Sequence, residues 1–207
     1  MIKAVVFDLD GTLVDSVDAW AEIWHESFKL NGIEASKSEI KRFIGLPLKS
    51  ILEELGISKE MEENIRKASK SVIEKYVNVI QAFPDSLPIL KFLSQKKIKI
   101  GVASSSEDEW IRIVLERLGM LKYVNSYVSG YDVKRPKPYP DVFIEIFKRL
   151  NEDPINGIVV GDRESDTLPA MEISAKGILI DRNGDYKGDP KADHVIKSLY
   201  ELKRWFE

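Results

Sequence analysis

The feature that most constrains this sequence is an apolar run near its start that ends abruptly in two aspartates. Residues 4–7 read Ala-Val-Val-Phe, and residues 8–12 read Asp-Leu-Asp-Gly-Thr. A continuous apolar run of this length predicts a strand buried on both faces, as in a parallel sheet. Gly11 then permits a tight turn. Alternate residues of an extended chain project to one side, so the carboxylates of Asp8 and Asp10 are expected close together.

Two carboxylates at such a spacing repel each other when both are charged. Either a cation binds between them or they share a proton. Hard oxygen ligands of this kind predict a Mg²⁺ site. One carboxylate could then attack an electrophile while the other transfers protons. The structural alternative is an acidic loop that caps the next helix, since Asp15 and Ser16 precede an apolar periodic segment.

Composition limits the classes of function. The formal net charge of the 207-residue chain is −3, so we expect no nucleic-acid partner. Cysteine is absent, which excludes disulfides and thiolate metal sites and is compatible with a reducing cytoplasm. The first strand follows Met1 directly, and no apolar run approaches the roughly 18 residues of a membrane helix. We therefore expect a cytoplasmic protein without a membrane partner.

One long segment carries only helical patterns. Apolar residues recur at helical spacing over residues 17–30 and 61–80, and shorter helices are predicted at 36–43 and 48–55. The flanking sequence differs in composition. The pattern predicts an all-helical domain over residues 16–82, inserted into a discontinuous core of residues 1–15 and 83–207.

Strands and helices alternate in the rest of the chain. Such alternation predicts an α/β fold, with a Rossmann-like parallel sheet covered by helices on both faces. The predicted strands are 98–103, 126–129, 157–160, 177–180 and 194–196. The predicted helices are 87–93, 107–118, 141–150, 166–173 and 198–206.

Polar side chains follow the predicted strands. Each taken alone has a structural explanation, as a helix cap, a turn residue or a solvated surface charge. The carboxyl ends of parallel strands meet at one sheet edge, where ligands of such folds bind. Their joint placement therefore predicts a single site. In strand order the residues are Asp8 and Asp10, Ser104, Lys137, and Asp162 with Asp166.

Four segments resemble, in order, the motifs of the phosphotransferase branch of the haloacid dehalogenase superfamily. They are residues 8–12, Ser104 in Val-Ala-Ser, Lys137 in Lys-Pro-x-Pro-Asp, and residues 161–166 as Gly-Asp-x-x-x-Asp. The dehalogenases proper lack a carboxylate at the position of Asp10, so the resemblance favours phosphoryl transfer over carbon–halogen cleavage. Arg163 departs from the family pattern, in which a small residue is usual, and is expected to alter local electrostatics.

The resemblance implies a Mg²⁺-dependent phosphatase that acts on a small phosphorylated metabolite such as phosphoglycolate or a sugar phosphate. Asp8 would be the nucleophile, Asp10 the general acid and base, and Lys137 a neutralising point charge. Ser104 and the following Ser105 would bind phosphate oxygens. The implied metal ligands are Asp8, Asp10 through its backbone, Asp162 and Asp166.

The helical insert resembles the cap of this family. The resemblance implies that the loop at Gly45 faces the active site and that Lys49 meets an anionic substrate tail; a solvent-facing lysine is the alternative. A phosphomutase usually carries a histidine where this chain has Trp20, which favours hydrolysis. Lys49 also leaves open a phosphonoacetaldehyde hydrolase, although Asp10 argues against that activity.

A hypothesis from another class is a receiver-like signalling domain, which also has an acidic pair, a phosphorylated aspartate and a lysine around Mg²⁺. The extra helices disfavour it, because such modules are about one ordinary domain without an insert. Trp20 and Trp24 are expected to serve packing, and His25 and His194 are assigned no role. The sequence leaves the exact substrate open, as well as the choice between monomer and homodimer.

Overall fold

The computed structural model describes residues 1–184, 186 and 188–207. These described residues form two compact units: Met1–Val14 with Ala82–Glu207, and Asp15–Gln81. In the described part of the chain, no helix combines the length and apolarity needed to cross a lipid bilayer.

The strands lie mainly in the first unit, which we call the core unit. Short strands also occur at the two points where the chain passes from one unit to the other. The strands are β1 (Ala4–Phe7), β2 (Val14–Asp15), β3 (Gln81–Ala82), β4 (Lys99–Ser104), β5 (Ser126–Ser129), β6 (Gly157–Gly161), β7 (Lys176–Ile180) and β8 (His194–Ile196).

The second unit, which we call the helical unit, is built from the predicted helices. The first is amphipathic, and the second opens with the expected capping box at Ser36. The fourth ends at Tyr76 rather than at the predicted Ile80, since Val77 and Val79 are β-branched and the intervening Asn78 favours turns. The helices are α1 (Val17–Leu30), α2 (Lys37–Lys41), α3 (Leu48–Glu54) and α4 (Glu62–Tyr76).

Helices of the core unit connect its strands. The predicted terminal helix is a 3-10 helix, Leu199–Trp205, and its buried residues Leu199 and Leu202 are three positions apart, which matches the three-residue turn of this helix. The α-helices are α5 (Ser86–Gln95), α6 (Asp108–Arg117), α7 (Asp141–Leu150) and α8 (Glu164–Glu172).

The core sheet confirms the predicted parallel architecture. Within the described residues it has six strands in the order β5-β4-β1-β6-β7-β8, and its neighbouring strands pair in parallel. Phe7, the last residue of β1, lies opposite Val102 of β4 and Val160 of β6, and all three are fully buried. After β1, the chain first adds β4 and β5 on one side of that strand, and it then adds β6, β7 and β8 on the other side. This switch of direction opens a crevice beyond the carboxyl end of β1.

Helix α7 shows how the sequence fixes packing against this sheet. Its apolar residues recur at helical spacing, and Phe143, Ile146 and Phe147 are buried against the sheet. A Cβ atom at Gly101 would lie 2.7 Å from Ile146 Cγ1, so only glycine lets the helix approach the middle of β4.

A buried ion pair joins the start of α5 to the segment after β7. Asp85 is 4% exposed, and its Oδ2 accepts hydrogen bonds from Arg182 Nη1 at 2.9 Å, Ser198 Oγ at 2.8 Å and the Leu199 amide at 2.8 Å. Arg182 also donates from Nη2 to the Thr12 carbonyl at 2.8 Å. Burial alone would raise the pKa of Asp85, but the hydrogen bonds from Arg182 and Ser198 outweigh it and hold the pKa below its ordinary value.

We expect Asp85→Asn to lower the free energy of unfolding by about 2 kcal/mol at pH 7, since a charged hydrogen-bond acceptor is lost. A carboxyl group whose pKa is lower in the folded than in the unfolded protein stabilises the fold at pH values above its unfolded-state pKa, here 3.8. This stabilisation is lost as the pH falls through the folded-state pKa. The difference in the free energy of unfolding between wild type and variant should therefore be largest at pH 7 and shrink below about pH 4. Urea unfolding at pH 7, 5 and 3 measures it, with the exposed Asp15→Asn as control. A difference that grows at pH 3 would contradict this assignment.

Candidate active site

Asp8 is fixed at the carboxyl end of the central strand. Its backbone N–H donates to the Val160 carbonyl at 2.8 Å, which continues the pairing of β1 with β6 by one residue. The side chain is almost fully buried, with 4% of the residue exposed. The central strand therefore delivers one carboxylate to the crevice in a defined position.

Lys137 lies beside Asp8 and is itself 1% exposed. Its Nζ atom lies 2.6 Å from Asp8 Oδ1, 2.6 Å from Asp166 Oδ1 and 2.8 Å from the Ala103 carbonyl oxygen. Asp8 Oδ1 and the Ala103 carbonyl accept hydrogen bonds from the ammonium group, and Asp166 forms an ion pair with it. Burial alone would lower the pKa of Lys137, but the Asp166 and Asp8 carboxylates outweigh it and raise the pKa above its usual value. The lysine therefore stays charged.

Three carboxylates of the described residues converge at this point. Oxygen atoms of Asp8, Asp162 and Asp166 all lie within 4.8 Å of one another. Burial, and then Asp166, raise the pKa of Asp162 to about 6, although Arg163 Nε at 3.9 Å from its Oδ2 opposes the shift. Burial also raises the pKa of Asp8 well above its ordinary value, despite Lys137. Burial and the neighbouring carboxylates therefore disfavour the charged forms of Asp8 and Asp162 in this pocket.

Two glycines allow the carboxylates to come so close. Gly11 has φ +92°, and a Cβ there would lie 2.7 Å from Asp162 Oδ2. A Cβ at Gly161 would lie 2.3 Å from Asp166 Oδ2. Backbone without side chains thus lines the pocket in which Asp162 and Asp166 meet Asp8.

Asp10 accepts a hydrogen bond from a serine that follows β4. Its Oδ2 accepts a hydrogen bond from Ser106 Oγ at 3.0 Å, and the residue is 6% exposed. The sequence predicted Ser104 and Ser105 as phosphate ligands and did not assign Ser106. Its only signal was its place in the run of three serines that begins with the last residue of β4. Ser104 is buried and its Oγ accepts from the Ser106 amide at 3.1 Å, while Ser105 is half-buried in the same turn.

The remaining predicted residues lie in the helical unit. Gly45, with φ +100°, lies in the loop between α2 and α3, and Lys49 is exposed on α3. Their assignment to substrate binding stays a prediction. The rings of Trp20 and Trp24 stack with centroids 5.1 Å apart, and Trp20 is buried, as expected for packing residues.

Comparison with known proteins gives the family. The sequence model of haloacid dehalogenase-like hydrolases matches residues 5–180. A phosphoglycolate phosphatase from Aquifex aeolicus is 28% identical over 179 residues, which cover 86% of this chain and 84% of that protein. A pyrophosphatase PpaX from Oceanobacillus iheyensis is 24% identical over 204 residues, or 97% of this chain and 95% of that protein.

The fold agrees with this relationship. The crystal structure of a hydrolase from Pseudomonas syringae is similar with a TM-score of 0.86 at 26% identity, covering 100% of this chain and 98% of that chain. The resemblance inferred from the four motifs is therefore confirmed. The chain is a phosphatase that belongs to the haloacid dehalogenase-like hydrolase family.

Proposed function

We propose that the protein hydrolyses a small phosphomonoester with the help of Mg²⁺, through a phosphorylated Asp8. The observation that carries this proposal is the buried Lys137 ammonium, 2.6 Å from Asp8 Oδ1 and 2.6 Å from Asp166 Oδ1. A phosphomonoester carries nearly two negative charges at neutral pH. An anionic nucleophile can approach it only where positive charge is held in the same pocket.

The proposed reaction has two steps. In the first, a carboxylate oxygen of Asp8 forms a bond to phosphorus as the bond from phosphorus to the leaving oxygen breaks. Asp10 gives its proton to that oxygen, which leaves as an alcohol. In the second, water attacks phosphorus and gives a proton to Asp10, the bond to Asp8 breaks, and inorganic phosphate is released. Both carboxyl groups then return to their initial state.

The carboxylate cluster fits a divalent cation. Asp8, Asp162 and Asp166 offer hard oxygen ligands within 4.8 Å of one another, the ligand type that Mg²⁺ prefers. Burial, together with the neighbouring carboxylates, raises the pKa values of Asp8 and Asp162, and a bound cation would favour their charged forms. Bound Mg²⁺ would supply charge neutralisation to the phosphoryl group. The backbone of Asp10 remains a predicted ligand.

Ser104 is proposed to donate a hydrogen bond to a phosphate oxygen. Its hydroxyl oxygen lies at the end of β4 and accepts the Ser106 amide, so the hydroxyl proton can be donated to a phosphate oxygen. The first residues after β4 lead into α6, whose N-terminal amides favour anions. Ser105, in this turn, is proposed to contribute its backbone N–H.

Pyrophosphate is a second candidate substrate, because a relative similar over nearly the full length of this chain is named a pyrophosphatase. A panel of phosphoglycolate, hexose phosphates and inorganic pyrophosphate, each assayed for released phosphate, decides between the candidates. Release of inorganic phosphate also separates hydrolysis from a mutase reaction. A receiver-like domain would give at most one phosphate per chain.

Metal dependence is tested with p-nitrophenyl phosphate. We expect a chelator to lower hydrolysis about a hundredfold and added Mg²⁺ to restore it, since a cation contributes several kcal/mol of charge stabilisation. Independently of activity, saturating Mg²⁺ should raise the unfolding temperature of the wild type by about 5 °C. The shift should be much smaller in Asp162→Asn and unchanged in the exposed control Asp189→Asn. Full activity in excess chelator would overturn the metal assignment.

A further inference from the structure

The Asp10 carboxylate is held by a hydroxyl group from the neighbouring strand. Asp10 lies beyond the end of β1, and Ser106 lies two residues beyond the end of β4, which pairs with β1. Ser106 Oγ donates to Asp10 Oδ2 at 3.0 Å. A serine hydroxyl has one proton, and here that proton points at the carboxylate.

Ser106 is in turn fixed by two other serines. Its backbone N–H donates to Ser104 Oγ at 3.1 Å, and its carbonyl accepts from Ser129 Oγ at 2.7 Å. Ser104 and Ser129 are the last residues of β4 and β5, lie opposite each other in the sheet, and are buried. The ends of two core strands therefore set the direction of the Ser106 hydroxyl.

We propose that Ser106 is a positioning residue that holds the Asp10 carboxylate in the orientation needed for proton transfer. The inference rests on the proposed function, in which Asp10 protonates the leaving oxygen and later accepts a proton from water. Proton transfer requires a heavy-atom separation of about 2.6–3.2 Å from the reacting group. A hydrogen bond to one oxygen limits rotation of the carboxylate, whereas the torsion of an unanchored carboxylate is broad.

The test uses two substrates whose leaving groups differ in how strongly they need a proton. Phenyl phosphate releases a basic phenolate, whereas p-nitrophenyl phosphate releases a stabilised anion that leaves without protonation. We expect Ser106→Ala to lower kcat/KM about ten- to hundredfold for phenyl phosphate, the factor for losing one hydrogen bond to a charged group. The loss for p-nitrophenyl phosphate should be several times smaller. Ser106→Thr, which keeps the hydroxyl, should restore most of the activity.

A second comparison shows whether Ser106 acts through Asp10. In an Asp10→Asn background, Ser106→Ala should have little further effect, because residues that act as a unit are not additive. The exposed Ser94→Ala serves as a control for substitution alone, and thermal unfolding confirms that each variant is folded. Equal losses on both substrates, or an undiminished loss in the Asp10→Asn background, would overturn the proposal.

The two proposals can fail separately. If Asp8→Asn abolishes hydrolysis while Ser106→Ala does not discriminate between the two aryl phosphates, the role of Ser106 is refuted and the proposed function stands. If the wild type releases phosphate from neither aryl phosphate and from no compound of the substrate panel, both proposals are refuted.

Discussion

Asp8→Asn is expected to lower kcat for p-nitrophenyl phosphate at least about ten-thousandfold, the size of effect seen when an enzyme loses its nucleophile. The amide is close in shape to the carboxylate but cannot form the proposed bond to phosphorus. Steady-state rates under saturating Mg²⁺ measure the effect. Rapid quenching with a ³²P-labelled substrate should trap label on the wild-type chain and none on the variant.

The fold should survive this substitution. Burial and the carboxylates of Asp166 and Asp162 raise the pKa of Asp8, which means that the folded state disfavours its charge. Lys137 keeps Asp166 and the Ala103 carbonyl as partners in the variant. We therefore expect an unfolding temperature close to that of the wild type. A variant that is well folded and keeps a tenth of the activity would refute Asp8 as the nucleophile.

Lys137→Met is expected to impair both stability and activity. Removal of the ammonium leaves the buried carboxylates of Asp8 and Asp166 without their shared partner, and breaking a buried ion pair in this way costs about 3–5 kcal/mol. Activity should fall about a thousandfold, because the point charge that neutralises nucleophile and phosphate is lost. Urea unfolding and steady-state kinetics measure the two effects.

A neighbouring lysine provides the matched control. Lys134 precedes Lys137 by three residues and is exposed, so Lys134→Met should change the free energy of unfolding by no more than about 0.5 kcal/mol. Mg²⁺ in excess should recover part of the stability of Lys137→Met, because a cation relieves the same repulsion, but not its activity. Unchanged stability in Lys137→Met would show that the carboxylates do not depend on this ammonium.

Local sequence patterns were sufficient for most of the secondary structure. The predicted bounds of α1 (Val17–Leu30) and α7 (Asp141–Leu150) agree with the structure, because apolar periodicity and capping residues act within a few turns of chain. The 3-10 geometry of Leu199–Trp205 was not predicted, since a spacing of three is also compatible with an α-helix over so short a segment.

The motifs also indicated which residues to consider for the site. The sequence predicted that Asp8, Lys137, Asp162 and Asp166 lie together, because parallel strands bring their carboxyl ends to one edge. The contact of Lys137 Nζ with Asp166 Oδ1 was not predicted. Nor was the hydrogen bond from Ser106 to Asp10, which joins residues 96 positions apart.

The sequence by itself determined the elements, the parallel α/β class and the charged residues at the strand ends, because these follow from local periodicity and from the geometry of a single strand. Only the tertiary structure decided which side chains share a hydrogen bond. Asp85 and Arg182 meet across 97 positions. Ser104 accepts a hydrogen bond from a backbone amide, whereas the Ser106 hydroxyl donates to Asp10. Such pairings depend on strand order and side-chain packing over the whole core, which no local pattern encodes.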